Sequence, residues 1–509
     1  MTISTAVSLD RISRVVGYKM KKANFGGITP NLPQRIAVLG EANTANQATI
    51  DETPFPFISA KEVGDKYGYG SPLYHMARIL RPTSGNVLGG ISTIIYPQLE
   101  ATATAGVYTL GVTVASAVTA NVTHRIIVNG RNNIDGVAYN VGLVVGDTQS
   151  DVTTKIIAAI SGAISSPVGA ALATLDVAFT SKWAGATAAL NIRMDVGKNA
   201  AGVVYAEVSN VAGTGDPSIA NALTNFGNDW NTLVDNPYGT AQFTALEAHN
   251  GVPDPDNPTG RYSATNFKPY VALFGSLLSD KDDIIAITDA SARKDQVTNV
   301  LCPAPNSEGF AFEAATNMIV TCALTFQNSP HLGNGGVSYL DMPVPADNNI
   351  GDFLEYDGRD YMAKRGSSTV LLENGKYTVQ DFETTYHPDG EVPAKFRKVR
   401  DLNNLWNIEF GWRIIQVDNI WDKAIINDDA PVNVGDTVSP KQVKQFIYSY
   451  ADELESKALI ADAQFTKDSA LAEINGSNPA RLDSFFRVKL TSTSDIVSTD
   501  VEFDFFYNS

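Results

Sequence analysis

Two sets of short, unbroken apolar runs stand on either side of a long stretch of different composition, and this interruption constrains the fold more than any other feature of the chain. On the near side, Arg35-Ile-Ala-Val-Leu39 before Gly40 and the run 91–96 read as buried strands, with residues 59–80 between them as a helix interrupted near Gly68, Gly70 and Pro72. On the far side, Val271-Ala-Leu-Phe274, Ile284-Ile-Ala-Ile287 and 297–302 repeat the short apolar pattern, and 309–324 fits a helix packed against them. This alternation predicts an α/β unit, and the halves at 25–98 and 227–367 are expected to share one sheet.

The interrupting segment, 99–226, is rich in Ala, Thr, Val, Gly and Ser and poor in charge. Alternating strand candidates at 107–114, 125–129, 137–144, 190–196 and 203–208, with one helix over 151–163, predict an inserted, mostly β domain. Residues 1–24 read as an N-terminal arm, and 368–509 as a C-terminal α+β domain. In that domain Asn374-Gly375 supplies the positive φ angles of a tight hairpin turn. A long helix is expected over 401–426, with Trp406, Phe410, Ile414, Val417, Trp421 and Ala424 along its apolar face. A second is expected over 439–462, with Ser439 as N-cap and Pro440 at its first position. Strands follow at 486–491 and 501–507.

Charge and composition narrow the chemistry. With 38 Lys and Arg against 55 Asp and Glu, the net charge of −17 repels phosphate backbones, so direct nucleic-acid binding is not expected. The two cysteines, Cys302 and Cys322, are too few for a disulfide framework or a Cys-based zinc site. No signal-peptide pattern or membrane-length apolar run is present, which predicts a soluble chain without a membrane anchor. Five scattered histidines (His75, His124, His249, His331 and His387) assemble no nucleophile, metal or phosphate motif, so neither a catalytic site nor a cofactor is expected. His387-Pro-Asp389-Gly, Gly333-Asn-Gly-Gly336 and Asp254-Pro-Asp256-Asn257 read as turns and loops.

Two features point instead to other protein surfaces. Lys395, Arg397, Lys398 and Arg400 form one basic concentration in an acidic chain, either a docking surface for an acidic partner, another copy included, or a balance for the acids of the next helix. The terminal run alternates Val501, Phe503, Phe505 and Tyr507 against polar neighbours, and such a strand cannot be left as a free edge. The Ser/Thr/Asp linker before it gives it reach to add to a neighbour's sheet. Thr5, Val7 and Leu9 of the N-terminal arm offer a second strand of the same kind, and Val370, Leu372, Tyr377 and Val379 a sheet to receive one.

Phe25-Gly-Gly-Ile-Thr-Pro30, Arg35-Ile-Ala-Val-Leu-Gly40, Asp229-Trp-Asn, Asn236-Pro-Tyr238, Leu371-Leu-Glu-Asn-Gly375 with Tyr377-Thr-Val, Asp401-Leu with Trp406, and Val501-Glu-Phe-Asp-Phe505 occur in an order that resembles the contractile tail sheath proteins of bacteriophages, the Mu-like branch in particular. The likeness covers the α/β region and the C-terminal part and omits most of 99–226. It implies a structural subunit with a central sheath domain, an outward-facing insertion and an inner C-terminal domain whose terminal strands are exchanged between subunits. Such subunits form hexameric rings stacked around a tail tube and contract to drive it through the host envelope. The partners implied are further copies of the chain, the tube protein, and baseplate and tail terminator proteins. The place implied is the virion tail, assembled in the host cytoplasm. Besides the basic run, Lys441, Lys444 and Lys457 on the 439–462 helix are candidates to face the tube. Two other classes stay open on the residues: a carbohydrate-active or other hydrolytic enzyme carrying the insertion as a binding module, and a non-contracting virion shell or tube protein.

Overall fold

The computed structural model describes residues 29–502 apart from 84, 86, 101–102, 255, 393 and 432–433. The chain divides into two compact units, one of residues 32–407 with the segment from 492 onward, the other of 408–491 with the described residues 29–31.

The larger unit is built on a six-stranded sheet. Arg35–Glu41 lies at its centre, parallel to Ser92–Gln98 on one side and to Leu233–Asp235 on the other. Val271–Ser276 and Asn299–Pro303 extend it in parallel, and the short antiparallel strand Phe55–Pro56 closes the opposite edge. The two halves that flank the interruption therefore meet in one sheet. Its strands read as continuous apolar runs because helices cover them: Ile36, Val38, Leu39, Ile95, Val271, Leu273, Val300 and Leu301 are fully buried. Helix Ala60–Tyr67 is capped by Ser59 and helix Pro72–Leu80 by Ser71, so the Gly68-to-Ser71 interruption is a true break. Helix Ala311–Asn328 crosses the sheet so closely that a Cβ on Gly275 would stand 1.6 Å from the Ala311 carbonyl oxygen. The run Ile284 to Ile287, grouped above with the strand runs, is helical, inside Lys281–Thr288, because the Asp280 side chain accepts the Asp282 N–H and caps it.

The interruption folds mainly as two antiparallel sheets and a helix, with a two-residue hairpin at Asn133–Ile134 and Val137–Ala138 and a short helix at Ala220–Asn225. One sheet orders Val203–Val211, Ala105–Val114, Asp176–Ala184 and Val168–Ala173; the other orders Ile192–Asp195, Val122–Val128 and Asn140–Leu143. Helix Gln149–Ser161 starts in a capping box of Thr148 and Asp151. Burial alternates along Ala105–Val114, the pattern of a sheet with one packed face. The hairpin of Val168–Ala173 and Asp176–Ala184 had no counterpart among the expected strands. This insertion is tied to the α/β body by ion pairs: Arg131 with Glu313 at 2.7 Å and Asp341 at 3.4 Å, and Arg193 with Glu308 at 2.9 Å; Arg78, within the body, holds the same Asp341 at 2.8 Å.

The hairpin Thr369–Glu373 and Lys376–Asp381 turns at Asn374 (φ 52°) and Gly375 (φ 70°) and belongs to the larger unit. Helix Val399–Asn419 stops seven residues short of the expected end at Ile426, and Ala424–Ile425 instead pairs in parallel with Thr437–Val438. The expected apolar face fails in its second half, where Val417 is 46 % and Trp421 73 % exposed. In the first half the buried positions include Asn403, Asn404 and Asn407 beside Trp406, so helix and body meet through polar side chains as well as apolar ones.

In the smaller unit Pro440–Ser456 carries the expected Ser439 cap, completed by Gln442 as a capping box, and buries Val443, Ile447, Tyr450, Ala451 and Leu454. Leu471–Ile474 and Leu482–Phe485 form a hairpin. The expected strand over 486–491 is reduced to one bridge, Leu490 to Ile460.

Candidate functional site

The groups that ordinarily carry chemistry are spent on structure. His75 is buried without a hydrogen-bond partner, and burial pushes its pKa well below the usual histidine value. His124 bonds the Tyr205 hydroxyl at 2.9 Å, His249 the Tyr270 hydroxyl at 3.1 Å, and His387 Nε2 meets Asp289 at 2.9 Å. Cys302 and Cys322 are free and fully buried, and desolvation raises both thiols, so neither is a ready nucleophile. The Asp254 carboxylate accepts the N–H groups of Asp256 and Asn257, each at 2.8 Å, which makes that segment a turn. Among the described residues no group of three or more His, Cys, Asp or Glu is placed to hold a metal, and no helix is long and apolar enough to cross a membrane.

The basic run is drawn into the body of the larger unit. Arg397 makes two parallel hydrogen bonds to the Glu383 carboxylate, each 2.5 Å, and Glu383 is 2 % exposed. Burial pushes the Glu383 carboxyl up to about 7 against the pull of that guanidinium. Arg400 is buried, donating to the His331 carbonyl at 3.0 Å and to Asp401 at 2.8 Å, and Lys398 pairs with Asp495. Lys395 extends into solvent, its side chain 76 % exposed.

Of the proposed receiving strands, Val370, Tyr377 and Val379 are fully buried and Leu372 partly so, with the Tyr377 hydroxyl donating to the Pro305 carbonyl at 2.8 Å. One edge of this hairpin is already occupied: Gly336 N–H bonds the Val379 carbonyl at 2.7 Å, Val379 N–H the Val337 carbonyl at 2.9 Å, and Tyr339 N–H the Tyr377 carbonyl at 2.8 Å. Only the outer edge, along Thr369–Glu373, lacks a backbone partner strand among the described residues. Val370, Tyr377 and Val379 are therefore core residues, and any strand added there meets the backbone of Leu371 to Glu373.

Where the N-terminal segment enters the description it is clamped. Thr29 donates its N–H (2.7 Å) and its hydroxyl (2.5 Å) to Glu453, and Lys457 bonds the Thr29 carbonyl and pairs with Glu453 at 2.7 Å. Gly411 makes room for this seat, since a Cβ there would stand 2.4 Å from the Tyr450 hydroxyl and 3.0 Å from Thr29 Oγ1. Lys457 thus holds the incoming chain, while Lys441 is exposed and Lys444 half-buried on the same helix. Thr5, Val7, Leu9, Phe503, Phe505 and Tyr507 lie outside the described residues. Val501 is described: it is 77 % exposed, in an extended segment that also presents Ile496 (84 %) and Val497 (79 %) to solvent. Sequence reasoning missed the Thr29 clamp and the Asp495 contact, because the partners stand hundreds of residues from Thr29 and nearly a hundred from Asp495.

No family profile and no curated protein matches the chain. Among solved structures it is similar to a sheath tail protein of Desulfitobacterium hafniense, at 11 % identity and TM-score 0.44, over 94 % of this chain and 100 % of that one. It is similar also to the helical sheath of the anti-feeding prophage in its contracted state, at 9 % identity and TM-score 0.42, over 97 % and 100 %. A third similarity, to the anti-feeding prophage baseplate, has 13 % identity and TM-score 0.34 over 54 % of this chain and 69 % of that one. None of these singles out the Mu-like branch.

Proposed function

We propose that the chain is a structural, non-enzymatic subunit of a contractile tail sheath, which stacks as hexameric rings around a tail tube and contracts to drive the tube through the host envelope. The observation that carries the reading is the described segment from Ile496 to Glu502: it forms no helix or strand and presents the apolar Ile496, Val497 and Val501 to solvent. A monomer gains nothing from such a segment, whereas a second copy with an open sheet edge buries it. A contact of this head-to-tail kind generates a ring where its rotation closes and a helical array where it does not. The open edge along Thr369–Glu373 is one acceptor; the exposed hairpin Leu471–Ile474 and Leu482–Phe485, with Leu471 at 59 % and Phe485 at 49 %, is another. In this reading Thr5, Val7 and Leu9 act as the complementary N-terminal strand, and the exposed Lys395 and Lys441, with the half-buried Lys444, are the cations that meet the tube. Baseplate and terminator proteins cap the array, which forms in the host cytoplasm and ends in the virion tail.

Electron microscopy of the purified full-length chain tests this. Ordered hollow tubes are expected, and removal of residues 501–509 is expected to leave soluble, folded subunits without tubes. A truncated chain that still polymerises would overturn the reading.

A further inference from the structure

The strap that begins at Ser492 does not leave the larger unit freely. Thr493 and Asp495 line a cavity of about 70 Å³ together with the loop Gly333, Asn334 and Gly335, with Gln380 to Glu383, and with Lys398 and Arg400. Lys398 pairs with Asp495, and the Thr493 methyl lies 3.4 Å from where Gly333 would carry a Cβ. Asn334 is 3 % exposed and neither its amide nitrogen nor its oxygen has a partner. Thr493 and Asp495 already line the cavity, so what holds them is the Lys398 ion pair and the fit of Thr493 against Gly333, not the Asn334 amide. From Ile496 to Glu502, the described residues beyond this seat, the strap forms no helix or strand, and Ile496 and Val497 stand out in solvent.

We infer that this cavity is a docking seat for the chain's own segment Thr493 to Asp495, held in cis, which fixes the point from which residues 496 onward leave toward another copy. The inference deepens the assembly reading and rests on it for the fate of the residues beyond 495. An ion pair whose partners are 33 % and 46 % exposed is weak and salt-screened. The seat therefore sets direction and register and lets go under load, while the apolar residues past it supply the grip.

The test uses the full chain carrying Lys398→Cys and Asp495→Cys with a short bismaleimide cross-linker; the native thiols are buried and do not compete. The expected product is a cross-linked monomer whose yield is independent of protein concentration. A concentration-dependent covalent ladder, or no cross-link between the two positions, would overturn the inference. A spin label at Val497→Cys gives a second readout: Lys398→Glu is expected to sharpen its spectrum severalfold in mobility, and the reversed pair Lys398→Glu with Asp495→Lys to restore it. Unchanged spectra in all three would also overturn it. Both measurements are made on unassembled subunits, so a chain that passes them yet never forms tubes refutes the sheath reading and leaves the seat standing.

Discussion

The central sheet and the insertion are both β structures in one compact unit, yet they are stabilised differently. The sheet is parallel, covered on both faces, and built from runs such as Ile36 to Leu39 and Val271 to Phe274 with almost no exposed atom. The insertion is antiparallel and alternates, and its edges are left apolar and open: Val204, Val208 and Val211 on one side, Leu172 on the other, each about 60 % exposed. Between them lies a joint made of buried charge. The comparison teaches that the body is held by apolar packing, which tolerates no interruption, whereas the insertion meets it through ion pairs as well as apolar contacts such as Trp183 against Phe310.

That contrast can be broken first at the joint. Glu313 is fully buried and Arg131 is its ion-pair partner, so Arg131→Ala strands a charge with no water to replace the guanidinium. A loss of about 3–5 kcal/mol is expected in denaturant melts, accompanied by faster proteolysis of the insertion. A change under 1 kcal/mol would mean that the insertion is held by something else. Ile95→Ala in the centre of the sheet, at 0 % exposure, is expected to cost about 2–4 kcal/mol through lost transfer energy and the cavity left behind.

A third test uses pH. Glu41, at the carboxyl end of the central strand, is 1 % exposed and stands near Glu100 and Asp216, close to the two ends of the insertion. Burial, and then those two carboxylates, push its pKa from 4.5 up to about 8, with Thr187 pulling slightly the other way. Between those values the folded protein keeps a proton that the unfolded chain has released, so stability falls as pH rises from about 4.5 to 8 and is level above. Glu41→Gln is expected to flatten this slope: more stable than the parent at pH 9, on the order of 3 kcal/mol, and equal to it near pH 4. Thermal melts at the two pH values check it, and an undiminished slope in the variant would assign the effect to another group.

How much of this was legible in the sequence follows the same division. Continuous apolar runs announced the central strands, and Ser439-Pro440 and Asn374-Gly375 announced a helix start and a turn, because those signals are local. The run Ile284 to Ile287 was ambiguous since four apolar residues fit a strand or one turn of helix, and only the Asp280 cap decides. The apolar periodicity through Val417 and Trp421 misled, because the same helix buries Asn407, whose side-chain oxygen accepts the Leu32 N–H at 2.8 Å, and Asn403, which accepts from Gln34 at 3.3 Å. A polar residue with a distant partner looks like a surface residue in a list of letters. The partners of the basic run were illegible for the same reason: Glu383 and Asp495 turn Arg397 and Lys398 into internal contacts, and neither is a sequence neighbour.

The smallest expected effect lies at the insertion's open edge. Val203–Val211 is a long edge strand with a bulge between Glu207 and Ser209, and its outer backbone groups have no partner strand among the described residues. Replacing Val208, 59 % exposed, by Thr removes little buried apolar surface and preserves the β-branched backbone preference, so stability should stay within about 0.5 kcal/mol. The same substitution at a covered position of the central sheet, Val300→Thr, buries an unpaired hydroxyl and should cost about 1–3 kcal/mol. The ratio of the two, measured in parallel denaturant melts, is the sharpest form of the comparison. Equal losses would show that the insertion's edge is packed against something in the folded chain, and would remove it from the surfaces on offer to a neighbour.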